Sequence, residues 1–247
     1  MITRQQLEII NRKTLKYPLH IAEKDYLLTL VLQGITQSSL GKRLVFKGGT
    51  AVHHCYLQQH RFSEDLDFSA NQTPVALEDV HQIFTTFDFL KIKKEYRSDA
   101  TVKIEKLQYV GPLVQPNSLK VEIDFLQNVI LPPQVLPYQN VWGVEYTVSV
   151  MDIREICAEK IRAMSDRARY RDFYDLFLIL DTHSIDLTEV VNLIPQKEMR
   201  QPITKASIKQ NWRIVLTHKE MGQIFYSRKV ADNAVELMIE SLPPIHT

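Results

Sequence analysis

Two aspartates, Asp65 and Asp67, are separated by one residue in the segment 61–68, whose last four residues alternate between polar and apolar. Side chains alternate between the two faces of a β-strand, so both carboxylates would share one face while Leu66 and Phe68 pack on the other. Adjacent like charges raise each other's pKa unless a cation neutralises them. Mg²⁺ suits such a pair, because it takes one or two carboxylates together with waters and phosphate oxygens. The pair therefore predicts a magnesium site.

A glycine pair, Gly48-Gly49, precedes these aspartates and is followed by Thr50. An apolar run before it and an apolar helical stretch after it predict a strand, a tight turn and a helix start. Glycine lets backbone N–H groups approach an anion closely, and a helix N-terminus favours negative charge. Most glycine pairs are ordinary turns. The neighbouring aspartates favour a phosphate-binding turn instead.

A third acid is expected in the segment 118–126, whose alternation predicts a strand with Glu122 and Asp124 on its polar face. We assign Asp124 as the third metal ligand. The alternative is that Glu122 and Asp124 form a solvated strand face without a role in binding.

Two predicted helices supply further polar groups. Helical spacing of apolar residues from Ile153 to Met164 places Lys160 beside an apolar stripe, so its ammonium is expected to enter a half-buried site. Near the start of the next helix, Asp172 and Asp175 share a face. Favourable interaction with the helix dipole would also explain these two aspartates.

Together these motifs resemble the AbiEii/AbiGii toxin family of nucleotidyltransferases. The matching segments occur in family order, at residues 21–26, 46–50, 61–67, 159–163 and 171–176. The resemblance implies an α+β fold, in which a polymerase-β-like nucleotidyltransferase core, a mixed sheet with flanking helices, joins a helical C-terminal region. We place the core and its preceding helices at residues 1–150 and the helical domain, which completes the active site, at 151–247.

The same resemblance assigns roles to individual residues. The predicted metal ligands are Asp65, Asp67 and Asp124. The predicted nucleotide-binding residues are Lys47, Gly48, Gly49, Thr50, Ser63, Lys160, Asp172 and Asp175. With Lys160, the three metal ligands also form the predicted catalytic set, in which Asp124 activates or orients the acceptor hydroxyl and Lys160 steadies the triphosphate.

Members of this family are toxins of toxin–antitoxin or phage-defence pairs that transfer a nucleotide to a cellular target, which in some members is tRNA. The resemblance therefore implies an NTP substrate, Mg²⁺, an RNA acceptor such as tRNA and a cognate antitoxin protein. Two other functions fit part of the pattern. A metal-dependent nuclease needs clustered carboxylates, and a non-catalytic nucleotide- or protein-binding regulator would keep the glycines.

Composition limits the class of protein. The chain has 247 residues, with 30 lysines and arginines against 29 acids, so it is not a histone-like polyanion binder. Cys55 and Cys157 fall in apolar helical stretches, as expected of core thiols in a reducing compartment. His53, His54 and His60 match no zinc signature. The start of the chain lacks a signal-peptide core and no run is long enough to span a membrane, so we expect a cytoplasmic protein.

Other elements must position these residues. We expect two helices before residue 38, interrupted near Pro18, then a helix at 75–87, strands at 101–110 and 146–150, and a linker or long loop at 131–137. Basic residues concentrate at 197–229 around Trp212, Phe225 and Tyr226. This stretch is either a surface for RNA or a solvated helical face with core aromatics.

Overall fold

The computed structural model describes residues 1–71, 73–197, 202–217 and 225–245. Two helices open the chain, α1 (Arg4–Lys13) and α2 (Leu19–Gln37), and a 3₁₀ turn at Ser39–Lys42 follows. Thr3 caps α1, since its hydroxyl accepts from the N–H of Gln6 while the Gln6 side chain accepts from the N–H of Thr3. Pro18 precedes α2 as its N-cap residue. The predicted interruption near Pro18 is confirmed.

Seven strands form one mixed sheet. They are β1 (Val45–Lys47), β2 (Asp65–Ser69), β3 (Leu90–Arg97), β4 (Thr101–Val110), β5 (Pro116–Asp124), β6 (Gln134–Pro137) and β7 (Thr147–Val150). Their spatial order is β3-β4-β5-β2-β1-β7-β6. The pairs β2–β5 and β1–β7 are parallel, and the other neighbours are antiparallel. The predicted α+β class and mixed sheet are confirmed.

Helices flank this sheet. The remaining ones are α3 (Gly48–Ala51), α4 (Leu77–Thr85), α5 (Ile153–Asp166), α6 (Tyr170–Thr182), α7 (Leu187–Leu193), α8 (Lys205–Thr217) and α9 (Asp232–Ser241). Helix α3 continues as a π-helical turn at Val52–Tyr56, and a 3₁₀ turn at Ile194–Gln196 follows α7. In the part of the chain that the structure describes, no helix is both apolar enough and long enough to cross a bilayer.

Two hydrophobic clusters hold these layers together. One joins α1, α2 and α4 to one face of the sheet, where Leu66, Phe68 and Val121 are buried. The other joins α5 to α9 and includes Val45 of β1. Cys55 and Cys157 are buried free thiols, one in each cluster, as predicted. The division at residue 150 stays a prediction.

Most predicted elements are present with small shifts of their ends. The strand at 101–110 is β4, the helix at 75–87 is α4, and the strand at 146–150 is β7. The prediction of a loop throughout 131–137 was wrong, because residues 134–137 form β6 and pair antiparallel with β7. This strand lies at the sheet edge, where Pro137 interrupts no second ladder.

Candidate active site

Strand β2 lies between β5 and β1 and carries both aspartates on one face. Leu66 is 0% and Phe68 2% exposed on the opposite face, in the hydrophobic core. Asp67 lies opposite Lys47 of β1 and Glu122 of β5. Residues opposite each other in a sheet share a face. The alternation of the sequence thus places acids and a lysine side by side.

A cavity of about 320 Å³ separates this face of the sheet from α5 and α6. Its lining acids are Asp65, Asp67, Glu122, Asp124, Glu159 and Asp172, and its lining cations are Lys47, Lys160, Arg162, Arg167 and Arg171. Four of the six acids come from the sheet, whereas four of the five cations come from α5, α6 and the turn between them. The cavity therefore presents an acidic wall opposite a basic one.

The lysines near the centre of the acidic wall do not fully offset the burial and mutual repulsion of its carboxylates. Burial, then the charges of Asp65 and Glu122, raise the pKa of Asp67 to about 7, although Lys47 and Lys160 oppose the shift. Burial also raises the pKa of Asp65. Oδ1 of Asp65 is buried and has no hydrogen-bond partner among the described residues. A cation between these two carboxylates would compensate both the repulsion and the unpaired oxygen, so the residues fit a divalent metal.

Asp124 reaches the same cavity with its oxygens already engaged. Oδ1 accepts from the backbone N–H groups of Leu126 (2.8 Å) and Gln127 (3.1 Å), and Oδ2 lies 3.3 Å from Nζ of Lys47. Within the described ranges, no three His, Cys, Asp or Glu side chains form a group that could hold a metal ion. Asp65 and Asp67 are the residues that most need a bound cation, and Asp124 as the third metal ligand stays a prediction.

The glycine turn lies against the Asp67 carboxylate of the acidic wall. Gly48 has φ +79°, and a Cβ at this position would overlap Oδ2 of Asp67. Only glycine combines that backbone angle with so close an approach to the carboxylate. Gly48 lines the cavity, whereas Gly49, Thr50 and Ser63 are not among the lining residues.

Those three residues instead contact the chain around β2. A Cβ on Gly49 would overlap Nη2 of Arg61 and would lie 2.8 Å from Oγ of Ser63. The hydroxyl of Thr50 donates to the carbonyl oxygen of Asp65 at 2.5 Å. The turn thereby fixes the position of the strand that carries the aspartates.

Lys160 is held by two buried carboxylates. Its Nζ lies 2.6 Å from Oδ2 of Asp175 and 3.2 Å from Oδ1 of Asp172. Arg61 donates to both oxygens of Asp175, from Nε at 2.7 Å and from Nη2 at 2.6 Å. Nε2 of His53 lies 3.0 Å from the same carboxylate. Although burial opposes it, the charges of Arg61 and Lys160 hold the pKa of Asp175 well below its usual range.

The two aspartates of α6 therefore differ in position. Asp172 lines the cavity and binds Arg167, whose Nε lies 2.9 Å away. Asp175 is fully buried and does not line the cavity. Asp172 pairs with Lys160 and Arg167, and Asp175 pairs with Lys160 and Arg61. These ion pairs explain both aspartates more directly than the helix dipole does.

A second chain of charges runs along α5. Lys47 lies 3.4 Å from Oε1 of Glu159, and Lys197 lies at the same distance from that oxygen. Burial disfavours charged Lys47, but Glu159 and Asp124 outweigh it and raise the pKa of Lys47. Lys197 also pairs with buried Glu155. These pairs connect β1, α5 and the residues after α7.

Sequence reasoning did not single out several cavity residues. Those are Glu159, Arg162, Arg167 and Arg171, and Glu122 was noted only as a possible solvated residue. Glu159 and Arg162, spaced i, i+3 on α5, also share that face with Ile156 and Ala163. That spacing was a usable signal. The contribution of Glu122 follows from strand pairing, which no local pattern encodes.

The basic stretch at 197–229 divides into different environments. Trp212 is 3% exposed and packs with Tyr170 and Phe173, so it is a core aromatic. Lys209 pairs with Glu240 on the surface at 2.6 Å. Arg200 and Lys219 lie outside the described residues.

Comparisons with known proteins identify related sequences and folds. Residues 30–217 match the family described as nucleotidyl transferase AbiEii toxin, type IV TA system. The chain is similar to MenT4, a nucleotidyltransferase toxin from Mycobacterium tuberculosis H37Rv, with TM-score 0.69 and 22% identity over 94% of this chain and 86% of that one. The chain is also similar to JHP933 from Helicobacter pylori, with TM-score 0.59 and 16% identity over 90% of this chain and 91% of that one. No curated protein matches the sequence.

Proposed function

Because the chain belongs to the AbiEii family of nucleotidyltransferase toxins, we propose that it moves a nucleoside monophosphate from an NTP to a cellular RNA such as tRNA, within the cavity between β2 and α5. The observation that carries this proposal is the apposition of an acidic sheet face and a basic helical wall. Nucleotidyl transfer needs both, since charge must be neutralised on the phosphate oxygens while the reacting groups are aligned.

Asp65 and Asp67 would hold the divalent metal, for which Mg²⁺ is the proposed ion. When bound, the metal neutralises charge on phosphate oxygens and orients them. The raised pKa of Asp67 and the unpaired oxygen of Asp65 support this assignment. Asp124 remains the proposed acid that orients the acceptor hydroxyl, a role that requires its Oδ2 to exchange Lys47 for the acceptor.

The basic wall would bind the triphosphate. Lys160, Arg162 and Arg171 line the cavity opposite the aspartates, and positively charged side chains there would contact phosphate oxygens. Lys160 is already fixed by Asp172 and Asp175, so its ammonium would not need ordering when the nucleotide binds. We therefore propose that Asp175 positions Lys160 and Arg61 rather than touching the nucleotide.

The glycine turn would act close to the metal. Gly48 borders the cavity, and its missing side chain lets the Asp67 carboxylate lie against the turn. Gly49, Thr50 and Ser63, predicted to bind phosphate, would reach it only if nucleotide binding reshapes the turn. In the present arrangement they support Arg61 and the backbone of Asp65.

A labelled-nucleotide experiment tests the reaction. Purified protein is incubated with Mg²⁺, total RNA and each labelled NTP in turn, and RNA is separated by size. We expect label on a discrete RNA with one NTP, and loss of at least about a hundredfold in rate for Asp65→Ala. RNA that shortens without NTP would show a nuclease. Bound NTP without transfer to any RNA would show a regulator.

The family description also implies a second component. A type IV toxin belongs to a toxin–antitoxin pair, so we propose that a cognate antitoxin accompanies this protein. Growth of cells that express the chain alone, compared with the Asp65→Ala variant, tests toxicity. Equal growth of the two strains would contradict it.

A further inference from the structure

A row of side chains crosses the sheet from its outer edge to the catalytic acids. Tyr96 of β3 lies opposite Lys103 of β4, which lies opposite Glu122 of β5, which lies opposite Asp67 of β2. Residues so paired share a face. Strands are about 4.8 Å apart, so three steps separate Tyr96 from Asp67 by about 14 Å.

Lysines form a second row on the same face. Lys94 lies opposite Lys106, and Lys120 lies opposite Asp65. Lys91 extends this basic surface along β3, where it lies opposite Gln108. One end of the row therefore meets the carboxylate that we assign to the metal.

This face of β3, β4 and β5 is open to solvent. The buried residues of these strands face the opposite side, where α2 and α4 pack. Lys91, Lys94, Lys106 and Lys120 are all exposed. The aromatic side chain of Tyr96 also lies on this face. Tyr96 is 51% exposed, so packing in the hydrophobic core does not explain an aromatic residue at this position.

The charge of the open face is positive. It carries five lysines, namely Lys91, Lys94, Lys103, Lys106 and Lys120. Three acids share this face of the three strands: Glu105 pairs with Lys94, Glu122 pairs with Lys103 at 2.8 Å, and Asp124 lines the cavity. In the part of the chain that the structure describes, Lys91, Lys106 and Lys120 make no ion pair within 4 Å. These lysines present charge to an external anion.

From this arrangement we infer that the open face of β3, β4 and β5 binds a single-stranded segment of the nucleic-acid acceptor and leads its end to Asp65 and Asp67. The inference rests on the proposed function, to which it adds the acceptor-binding surface. Lysines would contact the phosphates, and Tyr96 would stack on a base. An acidic protein could also bind to these lysines. The exposed ring of Tyr96, in the row that leads to Asp67, favours a polynucleotide instead.

Binding measured without NTP tests this surface directly. The full chain and the triple variant Lys91→Gln, Lys94→Gln, Lys106→Gln are titrated against short labelled RNA and DNA oligonucleotides of one sequence at several salt concentrations. We expect the triple variant to bind RNA about tenfold more weakly, with a salt slope smaller by about 2. The DNA arm shows whether the surface requires a ribose 2′-hydroxyl.

A matched triple variant controls for lost charge. Arg12→Gln, Lys13→Gln and Lys42→Gln remove three exposed cations from α1 and from the 3₁₀ turn after α2, on the side of the other sheet face. This variant should bind RNA within about twofold of the parent. Equal weakening by the two triples would overturn the inference, because the effect would then reflect net charge alone.

Tyr96 supplies a second, independent test. Tyr96→Ala should weaken RNA binding about tenfold, while Tyr96→Phe keeps the ring and should retain it. Parental RNA binding by both the lysine triple and Tyr96→Ala would overturn the inference. The inference would also be overturned if only changes of Lys209 and Arg213 on α8 reduced RNA binding. The same holds if the lysine triple variant lost affinity for a polyglutamate peptide but not for RNA. Failure of the parent to transfer nucleotide would contradict the proposed function and leave these binding results intact.

Discussion

Nζ of Lys160 lies 2.6 Å from Oδ2 of Asp175, and the same carboxylate binds Arg61. Asp175 and Arg61 are 0% and 2% exposed. A buried ion pair contributes little net stability when complete, but loss of one partner leaves an uncompensated charge. The relationship therefore couples the stability of the fold to the placement of a lysine in the cavity.

The first prediction follows from that coupling. Asp175→Asn should lower the free energy of unfolding by about 3 to 5 kcal/mol, measured by urea denaturation, because buried Arg61 loses the carboxylate that it pairs with and buried Lys160 keeps only Asp172. Asp181, also on α6, pairs with Arg228 at the surface at the same 2.6 Å distance. Asp181→Asn should change the free energy of unfolding by less than about 1 kcal/mol. Similar losses in both variants would contradict the interpretation.

The second prediction concerns pH. Burial lowers the pKa of His53 to about 4 despite its contact with Asp175, so the folded protein keeps this imidazole neutral. Between pH 6.5 and about 4 the unfolded chain binds a proton there that the folded chain does not, so stability falls as pH falls. The lowered pKa of His53 corresponds to a decrease of about 3 kcal/mol in the free energy of unfolding across this pH range.

Replacement of His53 isolates this contribution. Unfolding free energies of the parent and of His53→Gln, measured from pH 7 to pH 4, should differ in slope, with the variant losing less stability as pH falls. Parallel curves would show that His53 titrates alike in both states. The pKa of buried His54 is also lowered, so the variant should keep part of the dependence.

The third prediction separates stability from activity at Asp67. Because the pKa of Asp67 is raised to about 7, its charged form destabilises the metal-free folded protein at pH 8. Asp67→Asn should therefore raise the free energy of unfolding by about 1 to 3 kcal/mol in metal-free buffer while abolishing nucleotide transfer. Asp88, an exposed residue, provides the control, since Asp88→Asn should change neither quantity appreciably. Destabilisation by Asp67→Asn would contradict this account.

A fourth prediction concerns the glycine turn. Gly48 and Gly143 both have positive φ, +79° and +74°, but only a Cβ at Gly48 would meet another group. Each Gly→Ala change should cost about 1 to 2 kcal/mol of backbone strain. Gly48→Ala should also displace the Asp67 carboxylate and reduce transfer by at least about tenfold.

Steady-state transfer assays and urea denaturation on both glycine variants distinguish the two effects. Gly143→Ala should keep its transfer rate, because nothing lies within 4 Å of the added Cβ. Equal rates for Gly48→Ala and the parent would show that the approach of the turn to Asp67 has no role in the reaction.

Local patterns predicted the elements that carry the site. Strict alternation around Asp65 and Asp67 located β2, and alternation around Asp124 located most of β5. Helical spacing located α5 and α6, and Lys160, expected in a half-buried site, is buried with 8% of its surface exposed. In each case the pattern reflects one apolar face, which adjacent residues in the sequence encode.

Long-range pairings were beyond these patterns. Arg61 and Asp175 are 114 residues apart, so no spacing rule connects them. Strand β3 was not predicted, because five of its eight residues are charged and its exposed edge leaves little hydrophobic signal. Strand β6 was hidden by Pro137 at its end and by the two prolines that precede it, and an edge position tolerates Pro137.

The row from Tyr96 to Asp67 separates two kinds of selective constraint. Under the proposed function, Asp65 and Asp67 of β2 must keep their carboxylates for any nucleotide to be transferred, whereas residues on β3 lie three strands away. Exchanges on the outer strands would therefore alter which molecule is modified and leave the reaction itself intact. If the open face binds the acceptor as inferred, the target of this chain could change through substitutions at the periphery of the sheet alone.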